Sequence, residues 1–397
     1  MTATTVDEPV EVPAGLRNVV VASTEVGDVR GLEGFYHYRQ YSAIELARSR
    51  SFEDVWFLLL EGRLPDADES ARFSAELARL RELPIELVPL LPGIALAGQE
   101  FRPLAGLRAA LSLIAEARGL TPVWDADPAT RRSDALLVAA VTPTVLAALH
   151  RLRTGRPPLT PRADLSTAAN WLYLITGQVA GPDRVRALEQ YLIATIDHGF
   201  NASTFTARVV TSTGADVAAA IVAALGALSG PLHGGAPDRA LASLDEIGSP
   251  ERIEAWVRDR IAHGERIMGF GHAVYRTDDP RSLLLREIAR GLGGELVEFA
   301  TAVEREIVRV LAELKPGRRL YANVEFYAGV VMELCGIPRP MFTPTFAVSR
   351  VVGWSSHVLE QARERRIIRP SARYVGPPPQ PVPSPGSAPP GHPGFAR

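Results

Sequence analysis

Residues 161–177 read PRADLSTAANWLYLITG. Leu165, Ala168, Ala169 and Leu172 recur at the three- and four-residue spacing of one helical face, with Asp164 to open the helix and Gly177 to stop it. The same grammar continues outward in both directions. Val185, Leu188, Leu192 and Ile196 predict a helix starting near Pro182 and ending at Gly199. Val217, Ile221, Leu225 and Leu228 predict another between Asp216 and Gly230-Pro231. Ser249-Pro250-Glu251 is an N-cap and first turn for a helix carrying Ile253, Trp256, Val257 and Ile261. Leu296, Phe299, Val303, Ile307 and Leu311 mark a longer one. Helices this frequent, joined by short Gly/Pro loops, predict an all-α protein. Strand signals are confined to the start, where Val19-Val20-Val21 and Phe35-Tyr36-His37-Tyr38 are expected to pair as a small hairpin. No solenoid repeat is present.

Composition narrows the chemistry. The chain has 397 residues, 46% hydrophobic and 22% charged, with a formal net charge of −2. That is enough apolar material for a large core and gives no case for nucleic-acid binding. Lys315 is the only lysine and sits in the turn Lys315-Pro316-Gly317. Walker A loops and Schiff-base chemistry both need a lysine, so those classes drop out. Cys335 is the single cysteine, which excludes an intrachain disulfide and a cysteine-built metal site. The N-terminus, MTATTVDEPVEVPAG, has neither the basic nor the apolar segment of a signal peptide. No apolar run reads as long enough to span a membrane, so the expected location is the cytoplasm. Residues 1–14 and the Pro/Gly/Ser tail 376–397 are expected to be disordered.

Three histidines adjoin glycines in loop-like positions: His198-Gly199, His233-Gly234 and Gly271-His272. Glycine there lets backbone approach a ligand closely and frees the imidazole from a packed helix face. Taken singly, each is more often structural, and a histidine at a helix C-terminus is favoured by the dipole alone. None shows His-x-x-x-His or HExxH spacing, so no metal is expected. Gly269-Phe270-Gly271 lacks the third glycine and the preceding strand of a dinucleotide fingerprint. Arg281, Arg350 and Arg369 supply a second theme, because a guanidinium grips a carboxylate in bidentate fashion.

At this point a resemblance becomes specific. GPLHGGAPDRAL (230–241), MGFGHAVYRTDDPRS (268–282), ANVEFYAGVVMELCGIP (322–338) and MFTPTFAVSRVVGWSSHVLEQ (341–361) resemble four C-terminal signature blocks of citrate synthases, in the family's order. DHGFNASTFTARVV, PRADLSTAANWLYLITG and FEDVWFLLLEGRLP resemble further family segments, so the likeness runs from about Gly15 to Arg373. It is closest to the shorter, dimeric members.

The resemblance implies a helical homodimer whose two domains close on substrate: a large domain of 15–232 with 338–375, and a small one of 233–337. It implies condensation of acetyl-CoA with oxaloacetate, a reaction of the tricarboxylic acid cycle, then thioester hydrolysis, with no metal or redox cofactor. His233 aligns with the histidine at the thioester oxygen, His272 with the one at the oxaloacetate carbonyl, and Glu325 with the carboxylate base. His198, Arg281 and Arg350 align with oxaloacetate binders, and Arg369 with an arginine serving the neighbouring subunit. Gly269, Phe270, Gly271, Ala273 and Val274 align with part of the CoA site. Three positions depart from the family pattern. Glu325 stands where most members carry Asp, Gly199 where Glu is usual, and Tyr38-Arg39-Gln40 where Tyr-Arg-Gly is usual. Two alternatives stay open: a 2-methylcitrate synthase using propionyl-CoA, and a poorly active paralogue that binds CoA or oxaloacetate.

Overall fold

A computed structural model describes residues 10–382 except Leu232, Gly234, Gly235, His272, Ala273, Arg276, Arg318 and Arg319, with only the backbone of 236–239. Sixteen α-helices and one three-stranded sheet are found among the described residues, so the expected all-α class holds. The chain divides into two units, residues 22–367 and a terminal unit made of the two chain ends. In the terminal unit Glu11 pairs with Arg373, and 370–382 carry no regular structure.

Two long helices form the heart of the 22–367 unit. Pro128–Arg153 is capped by Asp127, whose side chain accepts from the Thr130 amide at 2.8 Å, and nearly every residue from Ala135 to Arg151 is buried. Contrary to the sequence expectation, this helix is long and apolar enough to cross a membrane, but 89% of its apolar window is buried inside the protein. Thr142-Pro143-Thr144 interrupts the run and hides its length from a reading of the sequence. Phe342–Glu364 packs against it and also against the helices Pro182–Thr195, Ala202–Thr211 and Val217–Leu228.

The predicted helices form, with adjusted ends. Val217–Leu228 is as expected, with Asp216 as N-cap. Thr167–Thr176 starts at Ser166 instead of Asp164, because the serine hydroxyl accepts from the Ala169 amide at 3.2 Å. The helix from Pro182 ends at Thr195, four residues short of Gly199. Pro250–Arg252 is a 3-10 turn before Ile253–Ala262.

The hairpin exists but Val19–Val21 is not part of it; Val20 is 88% exposed. Strand β1, Gly27–Arg30, pairs antiparallel with β2, Phe35–Tyr38, and β2 pairs with β3, Tyr41–Ser42. The register places Gly27 opposite Tyr38, where a Cβ at Gly27 would collide with the His37 carbonyl oxygen. The turn after β2 puts Arg39, not Gln40, in the left-handed region, with φ +49°. The glycine usual at position 40 is therefore not needed here.

Sheet and long helix together finish one helix end. The last four carbonyls of an α-helix lack intrahelical donors. In Pro182–Thr195 each accepts from a side chain: Leu192 from Ser349 Oγ (2.5 Å), Ile193 from the Tyr38 hydroxyl (2.8 Å), Ala194 from the Tyr36 hydroxyl (3.0 Å) and Thr195 from Arg350 Nε (3.0 Å). The chain leaving that end carries Asp197, His198 and Gly199.

Candidate active site

His198 is half-buried on the turn after the capped helix end. Its Nε2 and the Tyr275 hydroxyl share a hydrogen bond of 2.9 Å, and its ring lies 5.5 Å from that of Tyr36. Gly199 adopts φ +65°, a conformation that the glutamate usual in the family would adopt only with strain.

Arg350, 2% exposed, spends its Nε on the Thr195 carbonyl and stacks its guanidinium 4.6 Å from the Phe346 ring centroid. Among the described residues no carboxylate lies within salt-bridge distance of it, and burial lowers its pKa. Arg281 is the opposite case. It is 3% exposed and held by Asp279 in a fork, Nε to Oδ1 at 3.0 Å and Nη2 to Oδ2 at 2.8 Å. Burial works against its charge, but the Asp279 carboxylate outweighs this and raises the guanidinium pKa. Asp279 also caps two helices at once. Its Oδ1 accepts from the Arg281 amide of Pro280–Leu292 (3.0 Å) and its Oδ2 from the Val324 amide of Val324–Leu334 (3.2 Å). One carboxylate thus sets Arg281 and the helix bearing Glu325 relative to each other.

Glu325 sits in the first turn of Val324–Leu334, whose N-cap Asn323 accepts from the Glu325 amide at 3.0 Å. Its carboxyl pKa is pushed up to about 7, chiefly by burial and further by the Asp279 charge, against a lowering effect of Arg281. Of the two neighbouring charges Arg281 acts more strongly than Asp279, so burial is what raises the Glu325 pKa. It opens on a cleft of about 570 Å³ whose wall includes Gly269, Phe270 and Gly271. That loop is pinned to the strip before Glu325. The Gly271 amide donates to the Tyr321 carbonyl (2.8 Å), the Asn323 amide to the Gly269 carbonyl (2.8 Å), and Asn323 Nδ2 to the Gly271 carbonyl (2.9 Å). Gly269 requires its glycine: φ is +83°, and a Cβ would lie 3.0 Å from the Phe326 Cβ.

His233 is half-buried, with Nε2 2.7 Å from the Ser203 hydroxyl. Burial first, then the Arg350 charge, lower its pKa, so the ring is neutral at pH 7. Val274 is 43% exposed and its carbonyl abuts Gly31, where a Cβ would collide with it. His272 and Ala273 lie outside the described residues. Arg369 is exposed in the terminal unit. Among the described residues no three His, Cys, Asp or Glu side chains group as a metal site. Reasoning from the sequence overlooked Tyr36, Tyr38, Tyr275 and Asp279. For Asp279 a signal was present, since Asp-Pro at a helix start is an N-cap signature.

A buried arginine pair, a neutral histidine and a carboxylate poised near neutrality, beside a glycine-walled cleft, suit proton removal next to an activated carbonyl. Comparison with known proteins agrees. The family model "Citrate synthase, C-terminal domain" matches residues 15–371. The chain belongs to the citrate synthase family. It is a transferase-type enzyme of that family, which condenses an acyl-CoA with oxaloacetate. It is 36% identical over 368 residues to the citrate synthase of Deinococcus radiodurans, covering 91% of this chain and 95% of that protein. It is 38% identical over 379 residues to the 2-methylcitrate synthase of Mycobacterium tuberculosis, covering 95% and 93%. Among solved structures, the citrate synthase of Thermoplasma acidophilum, in ternary complex with carboxymethyl coenzyme A and oxaloacetate, superposes with a TM-score of 0.85 at 31% identity, covering 94% of this chain and 98% of that one.

Proposed function

We propose that the chain is a citrate synthase, joining acetyl-CoA, oxaloacetate and water to give citrate and CoA. The observation that carries this reading is the half-buried Glu325 carboxylate, its pKa pushed up to about 7 by burial despite the Arg281 charge, on the wall of the glycine-walled cleft. A base with that pKa removes a methyl proton from a thioester near neutral pH. The developing enolate oxygen needs a donor, and the neutral His233 imidazole supplies one without a proton being lost to solvent. Arg281, Arg350 and His198 hold the two carboxylates and orient the ketone, with His272 at its oxygen. The segment 233–337 closes on the rest of the chain, excluding water until the carbon–carbon bond has formed. Hydrolysis of the citryl thioester then releases CoA. Gly269 to Gly271 with Ala273 and Val274 take the CoA side, and Arg369 completes the site of a second copy in a homodimer. Neither metal nor redox cofactor takes part.

The similar identity to a 2-methylcitrate synthase supports a second reading, propionyl-CoA in place of acetyl-CoA. One methylene is worth roughly 10- to 200-fold in discrimination. Thiol release from purified protein, with EDTA present and each acyl-CoA offered against oxaloacetate, tests both. A kcat/KM preference of at least tenfold for acetyl-CoA is expected. The reverse preference would make it a 2-methylcitrate synthase, and no release with either would leave a binding paralogue.

A further inference from the structure

One face of the helix Phe342–Glu364 holds the turn that carries His198, residue against residue. Arg350 Nε donates to the Thr195 carbonyl at 3.0 Å. Gly353 lies against the Ile196 carbonyl oxygen, which a Cβ there would strike. His357 Nε2 stands 3.2 Å from Asp197 Oδ1, both side chains 1–2% exposed. Positions 350, 353 and 357 fall on one stripe of an α-helix, because seven residues make about two turns. The other oxygen, Asp197 Oδ2, accepts from the Gly199 amide at 3.1 Å. The carboxylate therefore spans from the long helix to the residue just past His198.

His357 is a poor choice as mere filling. Its Nδ1 is buried without a partner, and a half-satisfied imidazole carries a desolvation cost that a leucine of similar bulk would avoid. What the imidazole provides, and leucine does not, is a donor to Asp197. Without it, that carboxylate would be buried with the Gly199 amide as its principal donor and would be drawn to other partners, taking the turn with it.

We infer that His357 is a positioning residue: through Asp197 it fixes the His198–Gly199 turn at the spacing from Arg350 that a dicarboxylate requires. The same helix thereby presents Arg350 directly and His198 indirectly. This inference rests on oxaloacetate being the substrate held by His198 and Arg350.

Steady-state kinetics of the full chain, varying each substrate in turn, separate positioning from general support. His357→Leu is expected to raise the KM for oxaloacetate about tenfold or more, as for loss of a hydrogen bond to a charged group. The KM for acyl-CoA should stay within about twofold, since the cleft at Glu325 does not use this contact. His357→Gln, whose amide nitrogen reaches about as far as Nε2, should return the oxaloacetate KM to within about threefold of wild type. Equal rises in both KM values, an unchanged oxaloacetate KM in folded His357→Leu, or His357→Gln as damaging as His357→Leu would each overturn the inference. If His357→Leu does not fold, His357→Asn replaces it; its amide falls short of Asp197, and the same contrast with His357→Gln decides. A wild-type chain that released CoA with neither acyl-CoA would instead overturn the proposed function, and this inference with it.

Discussion

The two ends of the site treat buried charge differently. At the proposed oxaloacetate end, Arg281 is matched by Asp279 in a fork and Asp197 by His357, while Arg350, with no carboxylate at salt-bridge distance among the described residues, gives its Nε to the Thr195 carbonyl. At the cleft end, burial pushes the Glu325 pKa up to about 7, and the opposing effect of Arg281, itself paired with Asp279, does not offset it. Compensated charge is rigid and stays ionised across physiological pH, which suits gripping a dianion. Uncompensated charge has a pKa near the working pH, which suits moving a proton.

The largest way to break this contrast is Glu325→Gln. It keeps the shape and removes the base, so turnover should fall by about 10³-fold or more while oxaloacetate binding, measured by titration calorimetry, stays within a few-fold of wild type. A comparable loss of oxaloacetate affinity would mean that the two ends are not separate.

The two arginines should fail in different ways. Arg350→Ala leaves no buried carboxylate stranded, so its main effect is expected on oxaloacetate, with KM rising about a hundredfold and a smaller loss of stability. Arg281→Ala takes the paired guanidinium from the buried Asp279 carboxylate, leaving its bonds to the two helix-terminal amides in place. A stability loss of about 3–5 kcal/mol by denaturant titration is expected on top of the binding defect. Equal stability losses in both variants would show that the Asp279 pairing does not distinguish them.

Much of this contrast was legible in the sequence as residues, and little of it as relationships. His198, His233, Glu325, Arg281 and Arg350 were all named, and the helix Val217–Leu228 was placed to the residue because Asp216 caps it locally. The hairpin partner was missed because Gly27–Arg30 is polar and half-exposed, while Val19–Val21 offers the β-branched run that propensity favours. The Asp197–His357 pair was invisible, since its members lie 160 residues apart and neither makes a local motif. Asp279 stood only inside the quoted block 268–282, although its position before Pro280 carries a capping signal.

The pH dependence follows from the cleft end alone. The proposed base Glu325 would work deprotonated, and burial pushes its pKa up to about 7. The kcat/KM for acyl-CoA should therefore fall about tenfold between pH 8 and pH 6, approaching one decade per unit below the pKa. A profile flat across that range would place an ordinary surface carboxylate at this position.

The smallest expected effect is on stability, and it tests the same carboxylate without any substrate. The folded pKa of Glu325, about 7, exceeds its ordinary value of 4.5, which stands for the unfolded chain. Between those values the folded state binds more protons than the unfolded state, so stability falls as pH rises, and above about 7 the loss is complete and constant. At 1.36 kcal/mol per unit the loss is about 3 kcal/mol. Glu325→Gln cannot ionise and escapes it. The variant should match wild type near pH 4.5, gain on it steadily up to pH 7, and hold a margin of up to about 3 kcal/mol at pH 8, read as denaturation midpoints at each pH. A stability cost carried by a working residue is what a site selected for chemistry leaves behind. Were wild type the more stable protein at pH 8, Glu325 would have a cation partner in the folded chain, and the distinction between a compensated and an uncompensated end would fail at the residue on which the proposed chemistry depends.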